Sequence, residues 1–141
     1  MSMTRTFARM SAVQALYQWQ VGRQDLTEIE RQFQVERDLG RADVAYFKEL
    51  LYGVPAHTAE IDVALAAFTD RAVADIDPVE RAILRLGCYE LLFRLDIPCR
   101  VAINESINLA KRFGAVDSHK YVNGILDKVA RQRRSLEFAA A

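Results

Sequence analysis

The residues best suited to recognition chemistry lie near the carboxyl end, where Lys120 and Tyr121 stand side by side within Lys111 to Arg134. That segment holds seven Lys or Arg against Asp117 and Asp127 alone, a local charge of +5. An aromatic ring flanked by cations suits single-stranded RNA: each stacked base contributes about 1–3 kcal/mol, while Lys and Arg neutralise phosphates. Asn104 and Asn123 could add hydrogen bonds to base edges. A second reading leaves Tyr121 as a surface ring with its hydroxyl in water, and the basic excess as a solvated helix face.

Other chemistries find little support. The chain has no phosphate-cradling glycine loop, no Gly-x-Ser-x-Gly elbow and no His-Glu-x-x-His, so an enzyme is not expected. Glu80, Glu90 and Glu105 fall in helical segments, where capping or ion pairing accounts for them more simply than acid–base work. Cys88 and Cys99 lack Cys-x-x-Cys spacing, and His57 and His119 stand alone, so neither a metal site nor a cofactor is expected.

Charge is unevenly spread along a chain that is neutral as a whole. Residues 1–23 hold three Arg and no acid, and residues 24–80 hold five basic and thirteen acidic residues. Such a molecule can offer a basic face to phosphates and an acidic one to a basic protein. With 141 residues, 51% of them hydrophobic, and a mean hydropathy near zero, the composition is that of one soluble globular domain. No apolar run approaches the ~18 residues that span a bilayer. Met1 to Arg9 lacks the apolar stretch of a secretory signal, so a cytoplasmic location is expected.

The elements that must position these residues are helical throughout. Phe7, Met10, Val13, Leu16 and Tyr17 recur at helical spacing from Arg5 to Val21, with Gly22 as the expected stop. A shorter piece over Thr27 to Arg37 turns Ile29 and Phe33 inward. Val44, Phe47, Leu51, Val54, Thr58, Ile61, Leu65 and Phe68 form one stripe, which Pro55 should break near Gly53 to Pro55. Asp77-Pro78-Val79-Glu80 is a dense helix start, and the largely apolar helix it opens, Pro78 to Phe93, should be central and buried. A helix from about Val101 to Phe113 stops at Gly114, and Asp117 or Ser118 caps a last helix to about Arg131. On a wheel of about 100° per residue, Val122, Ile125, Leu126 and Val129 face one way in that helix. Asp117, Lys120, Tyr121, Gly124, Lys128 and Arg131 face the other.

Several blocks carry a family resemblance. DPVERAILR (77–85), YELL (89–92), DIP (96–98), VAINE (101–105), LAKRFG (109–114) and DSHKYVNGILDK (117–128) resemble the signature blocks of the NusB family of bacterial transcription antitermination factors. AVQALY (12–17) is similar to the family's first helix. The resemblance implies an all-α fold of two packed helical subdomains, each roughly a three-helix bundle, over about 1–75 and 76–134, with 135–141 a frayed tail. It implies binding of boxA RNA in ribosomal RNA leaders together with NusE, a small-subunit ribosomal protein. That complex would join RNA polymerase with other Nus factors and suppress termination. Family members can self-associate, so a homodimer is among the expected assemblies.

Carried over by motif, Asp117, Lys120 and Tyr121 fall in an RNA-contacting patch, with Lys111 and Lys128 on the same basic segment. Arg5 and Arg9 fall in a basic amino-terminal arm that is sparser here than in many relatives, because Thr6, Phe7 and Ala8 separate them. Tyr17, Glu80 and Arg85 match positions associated with the protein partner and the adjoining RNA surface, and Glu80 also reads as a helix cap. The alternative function is a protein–protein adaptor whose acidic middle docks a basic partner and which touches RNA only incidentally.

Overall fold

The computed structural model describes residues 2–37 and 39–139, and all regular structure among them is helical. Helix α1, Met3–Gly22, is capped by the Ser2 hydroxyl, which accepts from the Arg5 N–H. It ends through Arg23 in the left-handed region, φ 53°, one residue beyond the glycine that the sequence offers as the stop. Helix α2, Leu26–Arg31, runs into a π-helical turn, Gln32–Glu36, and buries Ile29 and Phe33.

Helices α3, Val44–Ala56, and α4, Thr58–Ala66, share the long apolar stripe, of which Phe47, Leu51, Val54, Ile61 and Leu65 are buried. The break falls later than expected. Pro55 stays inside α3 and the chain turns at His57, φ −116°. Pro55 cannot donate to the Leu51 carbonyl one turn back, and at the carboxyl end of α3 the last carbonyls gain a side-chain donor. The Thr58 hydroxyl bonds Val54 O at 2.9 Å and Pro55 O at 3.1 Å, completing the turn that starts α4.

After a short 3-10 turn, Val73–Asp75, helix α5 spans Pro78–Phe93 as its start signal predicts. Asp77 Oδ2 accepts from the Val79 and Glu80 N–H groups, both at 3.1 Å, and Pro78 fills the first turn where no donor is needed. Helix α6, Cys99–Phe113, ends at Gly114, and α7 covers Ser118–Arg133. A short α8, Leu136–Ala139, follows. The tail expected to fray from residue 135 is instead tied down. Glu137 accepts from the Cys99 N–H at 3.0 Å and pairs with Arg134, satisfying the start of α6, where Pro98 has no side chain able to cap. Ala140 and Ala141 lie outside the described residues.

Helix α5 is the centre of the molecule and touches α1, α3, α4, α6 and α7. On one side it meets the bundle of α1, α2 and α3, and on the other it packs with α6 and α7 as a second three-helix bundle. Gly87 permits the closest of these approaches. A Cβ there would lie 2.5 Å from Ser106 Oγ on α6 and 2.7 Å from Leu126 Cδ1 on α7, so alanine would force those two side chains to move.

A buried polar cluster ties the two bundles. Arg9 on α1, only 2% exposed, donates from Nε to Glu90 Oε2 on α5 at 2.8 Å and lies 3.2 Å from Glu105 Oε1 on α6. The Tyr46 hydroxyl also bonds Glu90, and the Thr6 hydroxyl donates to Glu105 Oε1 at 2.7 Å. Burial opposes the Arg9 charge, but Glu90, Tyr46 and Glu105 outweigh it and raise its pKa. Burial dominates at Glu90, whose Oε1 has no partner, and lifts its carboxyl above the ordinary 4.5. A carboxyl raised on folding contributes most below 4.5 and loses that contribution as pH rises through its folded value. Arg9→Met should therefore lower stability at neutral pH by about 3–5 kcal/mol, the cost of stranding a buried charge. In urea unfolding the deficit should shrink from neutral to mildly acid pH, because the raised Glu90 carboxyl, left without Arg9, takes up a proton more readily. An equal deficit at both pH values would show that Arg9 acts by packing alone.

Candidate nucleic-acid interface

The start of α7 gathers the expected patch and adds residues that sequence spacing did not reveal. Asp117 takes the cap position but sits in the left-handed region, φ 68°, and its side chain makes no capping bond. Its backbone carbonyl accepts from the Lys120 N–H at 3.0 Å, while its exposed carboxylate lies 3.4 Å from Lys120 Nζ. Ser118 does not cap either, because its buried hydroxyl bonds Glu80 Oε2 on α5. Both caps expected from the sequence thus give way, leaving the Asp117 carboxylate outward. Lys120 is 72% exposed, and a surface pair of this kind contributes little and yields readily to a ligand.

Tyr121 is half-buried at the junction of α7 with the loop after α4. Its hydroxyl donates to Asp70 Oδ1 at 3.0 Å. Asp70 in turn accepts from Arg71 Nε and Nη2, both at 2.9 Å, and the Arg71 guanidinium lies 5.5 Å from the centre of the Tyr121 ring. The Arg71 hydrogen bond first, and the Tyr121 hydroxyl next, hold the Asp70 carboxyl down to about 2. Burial first, then Asp70, raises the Tyr121 phenol. Tyr121 is therefore neither a free platform nor a ring with its hydroxyl in open water. Asp70 and Arg71 are not legible in the sequence because they lie within the acidic middle of the chain, and only the fold brings them to α7.

The remaining basic residues divide sharply. Lys111 on the last turn of α6 and Lys128 on α7 are exposed, and neither has a carboxylate within ion-pair distance among the described residues. Arg5 is half-buried with its guanidinium 4.8 Å from the centre of the Tyr46 ring, beside a hollow lined by Ser2, Asp96 and Pro98. Arg9 must be removed from the candidate arm, because its guanidinium is enclosed and spent on Glu90 and Glu105. Asn104 and Asn123 are both exposed.

The partner set divides in the same way. Tyr17 on α1 is 41% exposed and borders an apolar groove of roughly 430 Å³ with Val13, Val21, Val79 and Phe113. Arg85 does not face outward: its fork holds Asp62 at 3.0 and 2.8 Å, and Nη1 donates to Gln20 Oε1 at 3.1 Å, joining α5 to α4 and α1. That places it within the packing, with its side chain 12% exposed. Glu80 is neither a return cap nor free, since it is bonded to Ser118. Burial pushes the Cys88 thiol up to about 12 and the Cys99 thiol to about 11, so both stay protonated at neutral pH.

A central helix shared by two helical bundles, with a polar and aromatic patch where the last long helix begins, defines an all-α binding protein. The model of the NusB family matches residues 6–131. The transcription antitermination protein NusB of Pseudomonas fluorescens strain Pf0-1 is 54% identical over 99% of this chain and 84% of its own length. That of Hydrogenovibrio crunogenus is 56% identical over 94% of this chain and 83% of its own. Among solved structures, T. maritima NusB superimposes with a TM-score of 0.80 at 32% identity, covering 99% of both chains. A crystal structure of antitermination factors NusB and NusE in complex with dsRNA gives 0.85 at 26% identity, covering 94% of this chain and 99% of that one. The chain belongs to the NusB family.

The Asp70 carboxyl reports directly on the Tyr121 contact. In Tyr121→Phe its pKa should climb from about 2 part of the way towards 3.8, with Arg71 still holding it below that value. The contribution of this lowered carboxyl is present above 3.8 and lost as pH falls through about 2. A carbon-13 titration of the side-chain carboxyl checks this, and an unmoved Asp70 would mean that the hydroxyl contact is not kept in solution.

Proposed function

We propose that this chain is a transcription antitermination factor that binds boxA RNA of ribosomal RNA leaders together with NusE. It joins RNA polymerase with the other Nus factors to keep transcription processive. It acts in the cytoplasm by binding, not by catalysis. No helix among the described residues is long and apolar enough to cross a membrane. The observation that carries this reading is the start of α7, where Asp117, Lys120 and Tyr121 stand together with a carboxylate freed from capping duty.

Chemistry favours base recognition at Asp117, Asp70 and Tyr121, and phosphate contact at Lys120 and the cations around the patch. Asp117 and Asp70 repel phosphate but accept hydrogen bonds from base amino groups, and an aromatic ring adds stacking. Lys111, Lys128 and Arg5 supply the cations for the backbone. Tyr17 and its apolar groove are the surface for the protein partner, since an exposed ring beside a concave apolar strip is the usual anchor of such contacts. A family structure with NusE and dsRNA supports the pairing of the two ligands.

Tyr121→Ala should weaken boxA binding about tenfold while the far-ultraviolet dichroism stays unchanged. Lys120→Glu should weaken it and flatten the salt dependence by about one unit of log–log slope. If Tyr121→Ala mainly lowers the melting temperature and leaves affinity intact, the ring belongs to the core. Titrating labelled boxA against a scrambled RNA, each single- and double-stranded and each with and without NusE, separates this reading from a protein adaptor. Equal affinity for every RNA under both conditions would favour the adaptor.

A further inference from the structure

We propose that Arg71, and not the Tyr121 ring alone, presents the outward stacking surface for an RNA base at this site. The inference rests on the reading of this chain as an RNA-binding protein. Arg71 is held by a fork: Nε and Nη2 donate to the two oxygens of Asp70, and the Tyr121 hydroxyl donates to Asp70 Oδ1 as well. The loop beneath is also pinned, because the Thr69 hydroxyl donates to Arg71 O at 2.8 Å and Arg81 Nη1 donates to Ala74 O at 2.8 Å. A guanidinium so bonded along its edge cannot swing freely, yet the Arg71 side chain remains 48% exposed.

Three features assign this group to a base and not to a phosphate. Two of its N–H donors are already used on Asp70, and that carboxylate offsets its charge. Glu80 and Asp117 stand at the same end of α7, so an incoming phosphate meets three carboxylates in this patch. A guanidinium plane, unlike an ammonium, stacks on bases as well as on aromatic rings. Tyr121 is half-buried against the core and faces Arg71 at 5.5 Å, so the pair forms a layered platform. In it Tyr121 lies beneath and Arg71 adds the outermost surface that a base meets.

Charge and planarity make different predictions, which the test exploits. Binding of a boxA oligonucleotide, with 2-aminopurine placed at successive positions, would be followed by anisotropy and by quenching at several salt concentrations. Arg71→Ala should weaken binding about tenfold and relieve quenching at one position, with the salt slope unchanged. Arg71→Lys should not restore affinity, whereas Arg71→Phe, which returns a flat surface, should restore much of it. Melting temperatures guard against a folding defect. Wild-type affinity in Arg71→Ala beside weakened Tyr121→Ala would overturn this proposal and leave the RNA-binding site standing. Full rescue by Arg71→Lys, with a slope change of about one in Arg71→Ala, would make Arg71 a phosphate contact and overturn it too. Wild-type affinity in both alanine variants would instead remove the start of α7 from the RNA site altogether.

Discussion

The buried contact of Arg9 with Glu90 and Glu105 is the constraint on which the arrangement of helices turns. It fixes α1 against α5 and α6 at once, and so sets how the amino-terminal bundle sits on the second one. An ion cluster at this depth is poor at stabilising a fold relative to apolar packing, because desolvation offsets much of the coulombic gain. It is directional, however, and leaving one member unpaired is far more costly than leaving a methyl group loosely packed. What the cluster contributes is registry: only one seating of α1 brings the Arg9 guanidinium to both carboxylates.

That seating decides which surfaces remain for ligands. With Arg9 withdrawn, the basic charge at the amino terminus is thin, and Arg5 alone of the two arm residues stays near the surface. The proposed recognition surface is then the start of α7. Here the fold leaves Asp117 in a left-handed conformation, diverts Ser118 to Glu80, and brings Asp70 and Arg71 across from the loop after α4. The same seating leaves Tyr17 exposed beside an apolar groove on another face of α1. Two separate surfaces on one rigid bundle suit a protein that brings an RNA and a protein together.

What was legible in the amino-acid sequence followed from how local the responsible physics is. Helix α5 could be read to its ends because Asp77, Pro78 and the amides they serve are neighbours along the chain, and Gly114 marked the end of α6 for the same reason. The inward face of α7 followed from periodicity alone, with Val122, Ile125, Leu126 and Val129 all buried. Arg9 could not be read, since an arginine that meets carboxylates on two distant helices looks the same in sequence as one that meets solvent. The contacts of Arg85 and Glu80 were hidden for that reason too, being set by Asp62, Gln20 and Ser118. The Asp70–Arg71 contact to Tyr121 was hidden by averaging, because a strongly acidic stretch masked the one arginine placed to reach the aromatic ring.

In the proposed arrangement the start of α7 and the loop packed on it form the RNA-reading surface. The most direct measurement is a nitrogen-15 amide titration of the chain with unlabelled boxA RNA. The largest shifts should fall at Asp117 to Tyr121 and at Asp70 and Arg71, with weaker ones along Lys111 and Lys128 and little change around Tyr17. Shifts concentrated at the Tyr17 groove, with Asp70, Arg71 and Tyr121 unmoved, would contradict it.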